Sequence, residues 1–334
     1  MGKKLLLRDV AQAAGVSEMT ASRALRGAPD VSERTRDKVR QIAAEIGYVP
    51  NRIAGSLASK SVNLVGVVVP SLSSSVFAEV LRGLSQSLAA TQLKPVIGVS
   101  GYDLQEEEDV VREMLSWRPS GLVVTGLDHS DTTRKMLANA ECPVVEIMDL
   151  DGEPVSHCVG ISHRQAGRDM ASTILERGHE RIGFIGSKLP QDTRADKRLT
   201  GFHEVLGEHG KALHDFEAWP DVSSIETGRT LTAQMLERSP DLDCIYYSSD
   251  VLAVGGYMHC LASGLSVPDD LALAGFNDLE LLRGLPLTLA TTDAHRFEIG
   301  ETAARIILDT REDATAGEAQ VIRLNPEIKT GQSL

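Results

Sequence analysis

Aromatic side chains make up only 4% of the 334 residues, and the aliphatic stretches are short. Leu64 to Val69, with a glycine inside it, falls far below the ~18 consecutive apolar residues of a membrane helix, so a membrane-spanning helix is excluded. Four cysteines, Cys142, Cys158, Cys244 and Cys260, make no C-x-x-C pair and no regular framework. That removes a disulfide scaffold and a cysteine-bound zinc, and it fits a reducing compartment. The nine histidines contain no H-x-x-x-H or H-E-x-x-H spacing, so no metal is expected. Where a nucleotide-binding chain would carry a glycine-rich loop after its first strand, Pro70-Ser71-Leu72 stands instead, and no G-x-S-x-G elbow occurs. Neither catalytic residues nor a cofactor are therefore expected. Near the N-terminus Arg8 and Asp9 cut short the apolar run Leu5 to Leu7; no export signal is expected, and the cytoplasm is the expected compartment.

Hydrophobic residues reach 42%, ample for a buried core, and the length suits two domains or slightly more. The net charge of −13 hides a division. Residues 1–60 hold 11 Lys and Arg against 6 Asp and Glu, whereas the remainder holds 23 against 41. A small basic head on a large acidic body points to an appended nucleic-acid-binding module.

Within the head, Val10, Ala11 and Ala14 share one face of a short helix, Gly15 suits a turn that needs positive φ, and Ser17 can cap a second helix. This is helix-turn-helix spacing. Ala21, Ala24 and Leu25 point inward on the second helix, which leaves Glu18, Met19, Ser22, Arg23 and Arg26 on a face that fits a major groove. A third helix follows Ser32, with Val39, Ile42, Ala43 and Ile46 inward and Gly47 as its stop. Asn51 to Ser59 is too short for a stable isolated helix and contains Gly55, so its helical structure should be conditional.

From Asn63 onward short β-rich runs (64–69, 95–99, 122–125, 144–147, 182–185, 244–247, 271–276) alternate with helical patterns (77–90, 106–117, 165–176, 199–209, 227–238). Such alternation predicts right-handed βαβ units and parallel sheets, and the series is long enough for two sheets of four to six strands. Ligands of open α/β folds sit beyond the carboxyl ends of the strands, here Ser73 and Ser74, Glu146 to Asp149, Ser162 and His163, Arg194 and Arg198, Ser249 and Asp250, and Asn277 and Asp278. Of these, Asp250 reads best as a helix cap.

The segments RDVAQAAGVSEMTASRALRG, VSERTRDKVRQIAAEIGYVPN and RIAGSLAS, followed by PSLSSSVFAEVLRGL, GLVVTG, PVVEIMD, VGISHRQAG, GHERIGFIG, RLTGF, YYSSDVLAVGGY and VPDDLALAGFND, resemble the LacI/GalR family of bacterial transcription regulators over nearly the whole chain. Two of them, PSLSSSVFAEVLRGL and PVVEIMD, together with MLSW, are most similar to its gluconate-responsive branch. The resemblance implies a helix-turn-helix domain at 1–50, a hinge helix and linker at 51–61, and at 62–334 a two-lobed effector-binding and dimerisation domain of the periplasmic-binding-protein type. Crossing segments near 158–162, 290–295 and 320–324 would join the lobes.

On the DNA side the resemblance implies that Glu18 and Met19 face variable bases, that Arg23 reaches a base edge, and that Thr20, Ser22 and Asn51 meet phosphates. Ser17 at the helix start completes this set, and Leu57 would be the wedge in the minor groove. Arg can fork onto guanine, Glu can accept only from a cytosine amino group, and Met offers apolar contact. The Thr that commonly opens the first helix is here Leu6, which removes a cap.

On the effector side Arg198 would bind the ligand, with Ser74, Asp149, Ser249 and Asn277 around it; Glu146 and Arg194 are added from the strand ends. Positions 162 and 277, often carboxylates in the family, are neutral here. Fewer carboxylates beside two arginines favour an anionic ligand, such as gluconate, 6-phosphogluconate or a ketogluconate. The expected protein is a homodimeric repressor on palindromic operator DNA, with no leucine heptads near Leu334 to build a larger assembly. The alternative is a sugar-acid-metabolising enzyme with an appended DNA-binding head.

Overall fold

The computed structural model describes residues 5–49, 62–72, 75–312 and 318–334. The chain divides into two compact units, Met1–Val62 and Asn63–Leu334.

In the first unit α1 (Leu7–Ala14), α2 (Glu18–Leu25) and α3 (Glu33–Ile46) pack around Val10, Ala11, Ala14, Ala21, Ala24, Val39 and Ala43. Alanines dominate that core, so the helices can approach closely without a large apolar volume. Local capping sets the helix ends. Gly15 and Gly47 close α1 and α3 in the left-handed region, while the Ser17 and Ser32 hydroxyls accept the Thr20 and Thr35 amides. Leu6 offers no side-chain acceptor, as its sequence implies. The α1 start is held from inside instead, by the Asp9 carboxylate accepting the Leu6 N–H at 2.7 Å. The expected hinge at 51–61, with Asn51 and Leu57, lies outside the described residues.

The second unit has two lobes. The first contains β1 (Leu64–Val69), α4 (Ser75–Leu88), β2 (Lys94–Val99), α5 (Leu104–Ser116), β3 (Gly121–Thr125), α6 (Asp131–Ala138), β4 (Val144–Ile147) and β5 (His157–Gly160). The chain then crosses into α7 (His163–Glu176), β6 (Ile182–Ser187), α8 (Thr193–Glu208), β7 (Asp215–Trp219), α9 (Ile225–Arg238), β8 (Cys244–Tyr247), α10 (Asp250–Ser263) and β9 (Ala272–Ala274). It returns through β10 (Thr291–Asp293) to α11 (Arg296–Glu312) and β11 (Val321–Arg323) of the first lobe, and ends after β12 (Glu327–Lys329), the antiparallel partner of β10.

Both main sheets are parallel, in the orders β11-β5-β4-β3-β1-β2 and β7-β6-β8-β9. Their central strands are apolar without alternation because helices cover both faces. Strand β7 went unread in the sequence because DFEAW is a half-exposed edge with no apolar run.

One packing detail positions the ligand side. Helices α7 and α8 cross at reciprocal glycines: a β-carbon on Gly167 would lie 1.9 Å from the Arg198 carbonyl oxygen, and one on Gly201 2.0 Å from that of Arg164. Only glycine allows the two backbones to meet there. The helix carrying Arg194 and Arg198 is thereby pinned. It starts at Thr193, six residues before the apolar periodicity at Leu199, because its polar first turns are capped by Asp192.

Candidate functional site

Two places collect the residues singled out by sequence. In the head, Glu18, Met19 and Arg23 are exposed on α2 and Thr20 and Ser22 are partly exposed, while Ala21 and Ala24 are buried beneath them. Met19 is 70% exposed, so its thioether is free to make apolar contact from that face. Ser17 serves as the cap, and its hydroxyl also meets the Thr20 hydroxyl at 2.8 Å. Arg23 is not a solitary solvated charge. Its Nε donates to Asp30 Oδ1 at 3.2 Å, and its Nη2 pairs with Asp30 Oδ2.

Between the lobes of the second unit lies a cavity of about 220 Å³. Arg194, Arg198, Ser249 and Asn277 line it; Ser74 lies outside the described residues. Arg198, 5% exposed, stacks on Phe276 with 3.8 Å between the guanidinium carbon and the ring centre. Its Nη2 donates to the Ser248 carbonyl at 3.0 Å, and its Nη1 lies 3.0 Å from His163 Nδ1. On its other side the His163 ring approaches the Met148 carbonyl through Nε2 at 2.7 Å. A carbonyl can only accept, so Nε2 carries the proton and Nδ1 accepts from Arg198. Burial, then Arg198 and Arg194, hold His163 well below its ordinary pKa, which keeps it the neutral acceptor this requires. Burial also lowers Arg198 itself, and among the described residues no carboxylate forms an ion pair with it.

Arg194 is equally buried but differently partnered. Its Nη2 lies 3.4 Å from Asp192, and its Nη1 lies against Gly126, where a β-carbon would stand 3.3 Å away. Burial works against its charge, but Asp192, Tyr102, Asp149 and Asp128 together raise its pKa. Tyr102, pushed up to about 12 first by burial and then by Asp192, remains a neutral phenol that can donate a hydrogen bond. The rest of the wall is rich in hydroxyls. Ser187 and Ser223 meet at 2.6 Å, and Ser249 reaches Ser223 at 3.3 Å. Four lining residues, Tyr102, Met148, Lys188 and Asn277, have positive φ, so backbone strain gathers at the strand ends that face the cavity.

Two expected pocket residues are placed elsewhere. Glu146 is fully buried within the first lobe, where its Oε2 accepts the Val155 and Ser156 amides and its Oε1 lies 3.5 Å from His129. His129 in turn lies 2.7 Å from Glu107; although burial opposes its charge, the two glutamates push it up to about 9. Asp149 is also withdrawn from the lining, because Lys197 of α8 holds it at 2.6 Å while holding Asp128 at 2.7 Å. Asp250 is no cap: Ser249 caps α10, and Asp250, buried, accepts from the Thr291 hydroxyl and the Leu279 amide. Sequence reasoning gave no ligand role to His163, Phe276, Tyr102, Asp192, Ser187 or Ser223. The strand-end rule reaches His163; Tyr102, Ser187 and Phe276 also lie at or just beyond strand ends but carry no local mark that they face the cavity, Asp192 lies further along the loop after β6, and Ser223 follows the edge strand β7, which has no apolar run.

Comparisons with known proteins agree with this two-part construction. Residues 6–51 match the family described as bacterial regulatory proteins, lacI family, and residues 63–325 match periplasmic binding proteins and sugar binding domain of LacI family. The HTH-type transcriptional regulator GntR of Pseudomonas aeruginosa is 38% identical over 303 residues, covering 90% of this chain and 88% of the relative. The HTH-type transcriptional regulator IdnR of Escherichia coli is 34% identical, covering 91% of each. A solved LacI-family transcriptional regulator from Silicibacter pomeroyi superposes with a TM-score of 0.94 at 55% identity and covers 99% of both chains. The chain therefore belongs to the LacI family: it is a DNA-binding transcriptional regulator, not an enzyme, with a helix-turn-helix domain ahead of a sugar-binding domain of the periplasmic-binding-protein type.

Proposed function

We propose that this regulator is a cytoplasmic repressor whose affinity for a palindromic operator is set by a sugar acid, gluconate or a phosphorylated or keto derivative, held between the lobes. The observation that carries this reading is the pair Arg194 and Arg198, both buried, facing one cavity whose other polar groups are mainly hydroxyls. Arg198 hydrogen-bonds only to neutral acceptors, and Asp192, a carboxylate in the lining, pairs with Arg194 instead, so a ligand carboxylate would meet a guanidinium with no ion-pair partner of its own among the described residues. The serines and Asn277 suit a polyol chain, and the resemblance of PSLSSSVFAEVLRGL, MLSW and PVVEIMD to the gluconate-responsive branch supports the same class.

A homodimer is supported by the two sheet edges. Ile97 and Val99 on β2, and Phe216 and Trp219 on β7, are exposed apolar side chains on edge strands, which stable proteins normally cover. Coupling would pass through residues 51–61, whose sequence is marginal as a helix, so a modest bias can decide its folding on DNA. Calorimetric titration with gluconate, 6-phosphogluconate, a ketogluconate and neutral glucose, repeated with operator present, tests the proposal. It expects an acid to bind best and to change operator affinity; preference for the neutral sugar would overturn it.

A further inference from the structure

The pair between Arg23 and Asp30 leads beyond that reading of a DNA-binding repressor while resting on the placement of Arg23 at a base edge that the family resemblance implies. Asp30 sits in the turn after α2, and that turn is anchored: Arg36 of α3 donates from Nη2 to the Ala28 and Val31 carbonyls, each at 3.1 Å, and Val31 is buried in the head core. A carboxylate on such a platform has a defined position. It takes Arg23 by the Nε and Nη2 edge. The guanidinium has five N–H groups in a fixed plane, so this contact leaves the Nη1 and Nη2 end pointing away from Asp30 with two nearly parallel donors. That end matches the O6 and N7 acceptors of guanine in the major groove.

Electrostatics poses the question of why an acid stands here at all. A carboxylate on a surface meant for a polyanion weakens binding to every DNA sequence. Nor does it hold the fold, since both partners are about half exposed and exposed pairs contribute little to stability. Orienting Arg23 gives it a purpose.

We propose that Asp30 is a positioning residue for base recognition: it fixes the Arg23 guanidinium by one edge so that the other reads a guanine. It lowers affinity for DNA in general and raises discrimination at one base pair. Replacing it with Asn should therefore change the two quantities in opposite directions.

The test uses the full chain and an operator selected by the wild-type protein from random duplexes. Affinity is measured on that operator, on versions in which each guanine in turn is replaced by adenine or 7-deazaguanine, and on unrelated DNA, for wild type, Asp30→Asn, Arg23→Ala and the double variant. Wild type is expected to lose at least about fivefold at one guanine, the lower end of what a bidentate contact supplies. In Asp30→Asn most of that loss should vanish while affinity for unrelated DNA rises, and in the Arg23→Ala background Asp30→Asn should change base preference no further. Undiminished discrimination by Asp30→Asn, or tighter operator binding with preference intact, overturns the proposal and makes Asp30 a mere competitor for Arg23. If Arg23→Ala itself leaves every base preference intact, the placement of Arg23 fails, and the proposal with it. Thermal melting of each variant confirms that the head remains folded.

Discussion

Arg23 of the head and Arg198 of the body stand in opposite surroundings. Arg23 is exposed and shares its charge with a carboxylate; Arg198 is buried and leans on an imidazole, a carbonyl and a phenyl ring, all neutral. Water screens an exposed pair, so an acid there can steer a guanidinium without cancelling it. In a buried cavity an acid would neutralise the charge outright, and an anionic ligand would gain little. Helix α8 makes the contrast within two adjacent residues: Lys197 is held by Asp149 and Asp128, whereas Arg198 is left to the cavity.

Salt should separate the two surfaces most widely. Between about 50 and 200 mM salt, operator affinity is expected to fall roughly a thousandfold through counterion release. Effector affinity should change by less than about threefold, since buried charges are poorly screened. Anisotropy on operator DNA and calorimetry on the acid give the two slopes; equal slopes would erase the distinction.

Next in size is Arg198→Ala, expected to weaken sugar-acid binding by about a hundredfold or more, because the ligand carboxylate loses a desolvated partner. Operator affinity without effector should stay within about twofold, because Arg198 belongs to the second unit and takes no part in the helix-turn-helix unit. An unchanged calorimetric response in this variant would move the effector elsewhere.

Lys197→Ala tests the neighbouring residue. It removes the cation that pairs with buried Asp149, and the body should lose about 3 kcal/mol in urea unfolding. Adding Asp149→Asn should recover most of it by removing the stranded charge; no recovery would mean that the lysine acts through packing alone.

The smallest effect belongs to Asn277→Asp. A carboxylate restored to the cavity wall should weaken acid binding by about tenfold and leave a neutral sugar almost unaffected. Equal losses for both ligands would point to shape, not charge.

Much of this protein was legible before any coordinates. Charge division marked the head, the spacing of Gly15, Ser17 and the alanines marked its helices, and alternating apolar runs marked two parallel sheets. Each is a local property, since periodicity and capping depend on residues within a few positions of one another. Partner choice is not local. Lys197 meets Asp149 across 48 positions, and Arg198 meets His163 across 35 and Ser248 across 50. Sequence placed Glu146, Asp149 and Arg198 alike at strand ends, with nothing to tell them apart. Only the crossing of α7 and α8 at Gly167 and Gly201, and the closing of one lobe on the other, decided which charge is cancelled inside the protein and which is turned toward the cavity. The physical reason is that burial and the succession of strands and helices are written in side-chain polarity along the chain, whereas the neutralisation of a buried charge depends on distances of a few ångströms that folding alone creates.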